Sequence, residues 1–298
     1  MQNLRIDKVL ILGISGMLGH VLFDQISASE DFDVFGTLKN EKKALTASCS
    51  RIIYNVNAFS INSLNDVVNA EKPNVVINCI GIIKQLKESS DSITSIAINA
   101  LFPHQLAKIC ERAGARLIHV STDCVFSGLK GNYNENDISD ATDLYGRTKY
   151  LGELHQYEHC VTLRTSIIGH EKSTNYGLVE WFLSQKEPIK GFKKAIYTGF
   201  PTIELARIII QYVLPNQNLR GVYQVSSNPI SKFELLKLIA QEYGKQIKID
   251  PEETFLCDRS LNSSRFNEAT GYQAPSWPEL VRSMHNQYQS VHQKTPTQ

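Results

Sequence analysis

Residues 8–19 read KVLILGISGMLG. Four of the first five side chains are long or branched and apolar, which predicts a buried strand over Lys8 to Leu12. An apolar-periodic run follows from Met17 to Ile26 and predicts a helix. Between them stand Gly13, Gly16 and Gly19. Glycines at a strand-to-helix turn let backbone approach a pyrophosphate closely, and the helix N-terminus favours its charge. The spacing is GxxGxxG, one residue away from the GxGxxG form. Alone it is weak evidence, because glycines also serve turns that bind nothing. Placed between a strand and a helix, it points to a dinucleotide site, with Ser15, Met17 and Leu18 in the same loop and first helical turn.

Working outward, the chain alternates short apolar strands with helical segments. Strands are expected at Asp33 to Thr37, Arg51 to Tyr54, Asn74 to Cys79, Arg116 to Ser121 and Val161 to Arg164. Helices are expected at Ile61 to Ala70, Ile93 to Ala113 (stopped by Gly114) and Asp143 to Glu158. This pattern predicts an α/β fold: a Rossmann-type doubly wound parallel sheet with a smaller C-terminal substrate-binding α/β domain. Residues 1–165 form the dinucleotide-binding part, with 191–222 returning to it. Residues 166–190 and 223–298 form the substrate part. There Tyr176 to Ser184 and Thr202 to Val213 read as helices and Val222 to Val225 as a strand. Ser231 to Tyr243 reads as a helix with Ser231 and Glu234 as a capping box. The tail from about His292 is polar.

Composition narrows the function. The 298 residues are 42% hydrophobic and 20% charged, with a formal net charge of +1. No basic block suggests nucleic acid, and no apolar stretch approaches the roughly 20 residues of a membrane span. Six cysteines, at 49, 79, 110, 124, 160 and 257, include no CxxC pair. They read as reduced thiols, and the absence of a secretory signal pattern adds to the expectation of a cytoplasmic protein without a metal site.

Ligands on such sheets bind at the carboxyl ends of strands. Asp33 lies about 20 residues past the glycines but at the start of its strand. The ligand-facing end offers Thr37 and Lys39, a hydroxyl and an amine that suit a 2′-phosphate. NADPH is therefore expected, with NADH as the alternative. Asn55 and Val56 after the third strand, and Cys79, Ile80 and Gly81 after the fourth, complete the cofactor set.

Tyr145 and Lys149 form YxxxK, which puts both side chains on one helix face. A lysine charge near the phenol favours its ionised form, and a tyrosine so placed can protonate a carbonyl oxygen as hydride arrives at carbon. YxxxK alone occurs by chance in many helices. Thr122, in STDCVFSG just past the fifth strand, could hydrogen-bond the same carbonyl. The plainer reading is that Ser121 and Thr122 cap a turn, but the three motifs stand in order, each beside the expected element.

At this point the chain resembles the extended short-chain dehydrogenase/reductases over nearly its full length, and within them the dTDP-4-dehydrorhamnose reductase group. The matching residues are G13ISG16MLG19, S121TDCVFSG128, Y145GRTK149 with Leu151-Gly152-Glu153, Leu163-Arg164 and G199FPT202. The resemblance implies a Thr122–Tyr145–Lys149 triad with Tyr145 and Lys149 also on the cofactor, and Asn99 as a cofactor-site support. It implies reduction of the 4-keto group of a UDP- or dTDP-linked 4-keto-6-deoxy sugar for surface polysaccharide synthesis. A UDP-linked N-acetylhexosamine is preferred on overall resemblance alone. Homodimers are common among such relatives.

Position 124 departs from the group. Dehydratases of the superfamily carry Asp-Glu after the threonine, reductases of the rhamnose type usually carry Tyr, and epimerising GDP-fucose synthases carry Cys with a partner histidine. Here the pair is Asp123-Cys124, and His170 lies in the loop after the sixth strand. Cys124 and His170 thus give an alternative, a bifunctional epimerase–reductase. The plainer expectation is that they contact substrate or core, together with Phe126, Trp181 and Arg259. Arg259 could clamp a substrate phosphate or lie on the surface, and Arg265 carries the same two readings. His155 and His159 read as surface histidines, since no third ligand accompanies them. A third reading is a non-catalytic NADP-binding regulatory subunit, as some rhamnose-reductase-like proteins are; the intact triad weighs against it.

Overall fold

In strand β1 (Asp7–Leu12), Val9 and Ile11 enter one apolar cluster while Leu10 and Leu12 enter another. A strand buried on both faces needs this continuous apolar run, and helices must cover each face. The structure is a computed structural model that describes residues 7–40, 51–84, 87–171 and 176–293. Helix α1 (Met17–Ser27) covers the first face, joined by α7 (Thr202–Ile208). Helices α2 (Ile61–Glu71) and α4 (Phe102–Ala113) cover the second.

The central sheet has seven parallel strands. They are β1, β2 (Phe32–Thr37), β3 (Ile52–Ile53), β4 (Val75–Asn78), β5 (Arg116–Thr122), β6 (Cys160–Thr165) and β11 (Gly221–Gln224). Their spatial order is β11-β6-β5-β4-β1-β2-β3. The order reverses between β1 and β4, which opens a crevice at their carboxyl ends. Gly13 lies on one side of it and Ile80 on the other.

Apart from β11, the strands after β6 build smaller sheets beside the large one. Strand β7 (Ile167–Ile168) pairs with β10 (Phe200–Pro201), and β8 (Ile189–Phe192) with β13 (Ile249–Glu252). Strand β9 (Ala195–Tyr197) lies between β12 (Ile230–Ser231) and β14 (Cys257–Asp258). Helices α6 (Leu178–Ser184), α8 (Lys232–Glu242), α9 (Ser264–Thr270) and α10 (Trp277–Gln293) complete this part. Ser231 caps α8 by accepting from Glu234 N, as the sequence predicts. No helix among the described residues is long and apolar enough to cross a membrane. Residues 1–6 and 294–298, and Cys49, lie outside the described residues.

Two expected helices end differently. The helix over Ile93 to Ala113 is interrupted: α3 (Ser92–Ser95) leads into a π-type turn over Ile96–Leu101 before α4 begins. Pro103 explains the break, because it has no N–H for the Asn99 carbonyl four residues earlier. Helix α5 (Leu144–Leu151) stops at Gly152 and does not reach Glu158. Gly152 packs on the very carbonyl that Pro103 leaves: a Cβ at 152 would sit 1.9 Å from Asn99 O. Gly152→Ala must therefore push two backbone segments apart. It is expected to destabilise the fold by about 1–3 kcal/mol, read as a lower urea midpoint at unchanged slope.

Candidate active site

The glycine loop is built for close approach. Gly13 adopts φ +83, and a Cβ there would sit 2.9 Å from Ile80 Cγ1. A Cβ at Gly19 would sit 2.3 Å from Gly13 O, so the loop can fold down only onto a bare helix backbone. Gly16 caps α1 without a side chain, and Ser15 and Gly16 are exposed at the helix N-terminus. Leu18 and Gly19 are buried behind them, and Met17 reaches across toward Gly177. Exposed N–H groups at a helix start, with bare backbone in front, fit a dinucleotide pyrophosphate.

The remaining cofactor candidates surround this crevice. Thr37 is 1% exposed and its Oγ1 accepts from Gly13 N at 3.2 Å, so the hydroxyl braces the glycine loop. Lys39, two residues on, is exposed. Asp33 sits near the start of β2, paired with Arg51 and away from the carboxyl edge. Asn55 has φ +62, and Val56 N bonds Leu38 O. Ile80 and Gly81 follow β4, and a Cβ at Gly81 would be 3.4 Å from Asn99 Oδ1 and 3.9 Å from Lys149 Nζ. Asn99 pins this segment: its amide accepts from Ile82 N at 2.9 Å and donates to Ile82 O at 3.1 Å.

The triad residues meet at the end of β5. Thr122 Oγ1 accepts from Cys124 N at 3.1 Å and donates to Asp123 Oδ1 at 3.2 Å, with the Tyr145 phenol beside it. Gly146 lets α5 come this close, since a Cβ there would be 2.2 Å from Cys124 O. Burial pushes the Tyr145 phenol well above its ordinary value, nearby Cys124 adds to this, and the Thr122 hydroxyl works against it. Lys149 is 6% exposed and donates to Val120 O at 2.8 Å. Burial lowers its ammonium from 10.5 to about 8, while Glu153 opposes that fall. The expectation that Lys149 lowers the Tyr145 phenol is thus not met: the phenol rises and stays protonated at neutral pH, the form that a proton donor needs.

Asp123 is buried too, and its carboxyl is raised by burial against the pull of Arg259. Arg259 donates from Nε to Phe126 O at 2.8 Å and from Nη1 to Cys124 Sγ at 3.6 Å. It is not a surface arginine, because these bonds tie it to the loop that follows β5. Phe126 was expected at the substrate, but its ring is fully buried, stacked on Tyr133 at 4.1 Å with the Arg164 guanidinium 5.3 Å above it. It is a packing residue. Trp181 on α6 is 38% exposed. Arg265 donates to Val222 O and lies 4.5 Å over Tyr223.

The structure does not bring His170 to Cys124. Its Nδ1 faces Glu180, its Nε2 meets Tyr243 Oη at 2.8 Å, and its ring stacks on Tyr288 at 4.1 Å. Burial and then Asp123 push the Cys124 thiol up to about 12, away from the thiolate that an epimerisation base requires. His155 pairs with Glu153 at 3.3 Å, and His159 meets Ala107 O at 2.9 Å. No metal cluster occurs among the described residues.

Residues 7–290 match the model of the RmlD substrate binding domain family. The chain belongs to this family. It is 25% identical over 302 residues to a dTDP-4-dehydrorhamnose reductase of Aggregatibacter actinomycetemcomitans, covering 93% of this chain and 98% of that one. It is 26% identical over 250 residues to methionine adenosyltransferase 2 subunit beta of Danio rerio, covering 80% and 74%. Its fold matches the crystal structure of a Bacillus anthracis dTDP-4-dehydrorhamnose reductase in complex with NADP. The TM-score is 0.78 at 23% identity, covering 94% and 98% of the two chains.

Glu153 and Arg164 have no role that motif spacing alone reveals. Arg164 binds Glu153 through Nε at 2.8 Å and Nη2 at 2.7 Å, and Ser121 donates to the same carboxylate at 2.8 Å. The available signal was a charged residue inside an otherwise apolar strand, which demands a buried counter-charge. The shielded Cys124 thiol makes a direct test. At pH 8 a group near 12 is ionised about once in ten thousand molecules. Iodoacetamide should therefore label Cys124 more than about a hundredfold more slowly than free cysteine, as followed by peptide mass spectrometry.

Proposed function

We propose that the protein uses NADPH to reduce the 4-keto group of a nucleotide-linked 4-keto-6-deoxy sugar, with UDP or dTDP as the nucleotide. The observation that carries this reading is the meeting of the Thr122 and Tyr145 side chains, with Lys149 behind them, at the sheet edge next to the Gly13 crevice. Bound nicotinamide would supply the hydride. Thr122 orients the substrate carbonyl, and Tyr145, held protonated, gives its proton to the oxygen as the carbonyl becomes an alcohol. Lys149 keeps a positive charge beside that event. Lys39 at the exposed end of β2 suits the 2′-phosphate, and NADH is the lesser alternative.

The similarity to dTDP-4-dehydrorhamnose reductases supports the substrate class, and a further relative is the Bacillus subtilis spore coat polysaccharide biosynthesis protein SpsK. Residues 1–165 carry the cofactor in this reading, and Arg259 and Trp181 of the later segments face the sugar nucleotide. The five described cysteines are free thiols, which supports a cytoplasmic setting. The similarity to methionine adenosyltransferase 2 subunit beta favours one second reading, an NADP-binding subunit of another enzyme.

The test is NADPH oxidation at 340 nm with a panel of dTDP- and UDP-linked 4-keto-6-deoxy sugars. Tyr145→Phe is expected to lower kcat by about 10²–10⁴-fold with NADPH affinity nearly unchanged. Tight NADPH binding without oxidation by any panel member would instead favour the subunit reading.

A further inference from the structure

The sheet face beneath α5 is polar where a central sheet is normally apolar. Strand register aligns Asn78, His119 and Thr162 in one row, and Ser121, Arg164 and Gln224 in the next. All six are at most 5% exposed. Tyr145, Lys149 and Glu153 recur at intervals of four above them, with Glu153 just past the Gly152 cap. The end of β5 receives each in turn: Thr122 meets Tyr145, Val120 O meets Lys149 and Ser121 Oγ meets Glu153.

Among the described residues, the titratable groups facing Lys149 are Cys79, His119 and Glu153, besides Tyr145 on its own helix. Burial pushes the Cys79 thiol up to about 12, so it is neutral. Burial, and then Lys149 itself, hold His119 well below its ordinary value, so it is neutral as well. Glu153 stays ionised: although burial raises its carboxyl, bonds from Arg164, His155 and Ser121 bring it below the ordinary value. Among the described residues it is therefore the one ionised carboxylate that acts on this ammonium, and Arg164, bound to it, is the positive charge packed behind it.

We propose that Glu153 is a positioning residue for the reduction: its buried carboxylate, locked by Ser121 and Arg164, keeps Lys149 charged and seated beside Tyr145. This rests on the reductase reading for its role in turnover. The role itself is electrostatic and resides in the protein alone. Arg164 holds the carboxylate in one orientation, and Ser121 ties it to the strand that also carries Thr122.

Glu153→Gln removes the negative charge and leaves Arg164 facing a neutral amide, and the double variant Glu153→Gln/Arg164→Met, which loses one charge of each sign, serves as the net-neutral control. The titration of Lys149 is read by NMR of protein carrying ¹³C-labelled lysine, with Lys149→Arg assigning the signal. Loss of the negative neighbour in Glu153→Gln disfavours the ammonium, so the midpoint should fall by about one pH unit, and it should fall less in the double variant, which also loses a like charge. The alkaline limb of kcat, where activity disappears as Lys149 deprotonates, should move to lower pH by the same amount. Ser121→Ala, which removes one hydrogen bond and no charge, should give a smaller shift in the same direction. A folded Glu153→Gln variant whose Lys149 midpoint is unmoved overturns the proposal, as does, where that variant does not fold, an unmoved midpoint in Ser121→Ala. A moved midpoint in a protein inert toward every keto-sugar upholds the hold of Glu153 on Lys149 and overturns the reductase reading instead.

Discussion

The seam between the end of β5 and helix α5 is the contact on which the rest of the site depends. Three successive residues of one strand, Val120, Ser121 and Thr122, receive three side chains of the helix side, Lys149, Glu153 and Tyr145. Backbone must approach backbone for this to happen. Gly146 allows it at one end of α5, against Cys124 O, and Gly152 at the other, against Asn99 O. Asn99 in turn fixes the Ile82 segment that borders the crevice. The nucleotide side and the carbonyl side of the site are thus set by one helix pressed against one strand.

Such a seam is costly to bury and hard to alter. Losing one member of a buried ion pair like Glu153–Arg164 costs about 3–5 kcal/mol, because the other charge is left without a partner. The pair is weak evidence for stability as such, since apolar residues could fill the space. What the pair does supply is orientation. A bidentate arginine has one good geometry against a carboxylate, and the Arg164 guanidinium is itself held over the buried Phe126 ring.

The large sheet was legible in the sequence because its strands are short apolar runs and its helices have a clear period. The pairing of Tyr145 with Lys149 was legible because its spacing is local: a helix makes the two neighbours whatever else the chain does. Reading failed where distant residues decide. The break in the helix over 93–113 follows from Pro103, whose missing N–H outweighed the continuous apolar pattern around it. Helix α5 ends early because Gly152 must meet Asn99, a contact that no local period reveals. The two- to four-residue strands β7 to β10 and β12 to β14 have too few side chains to show an alternation. Glu153 and Arg164 were visible as residues, but their pairing joins a helix end to a strand, and only the fold brings those together. Phe126 was misread for the opposite reason: its neighbours Thr122 and Cys124 face the site, while its own ring turns into the core.

Burial moves the two titrating members of the triad in opposite directions, and both shifts serve a reduction. It favours the neutral phenol, so Tyr145 keeps its proton until a carbonyl oxygen gains charge. It also disfavours the ammonium, which would cost the site its cation near neutral pH if nothing opposed it. The same dry pocket that loads the acid therefore threatens the charge beside it. A fixed carboxylate one helical turn beyond Lys149 is a direct physical answer, and it works only if the carboxylate cannot take up a proton itself. Arg164 and Ser121 meet that condition by filling its oxygens with donors. On this argument the polar layer under α5 is the means by which one buried pocket holds a neutral phenol and a charged amine side by side.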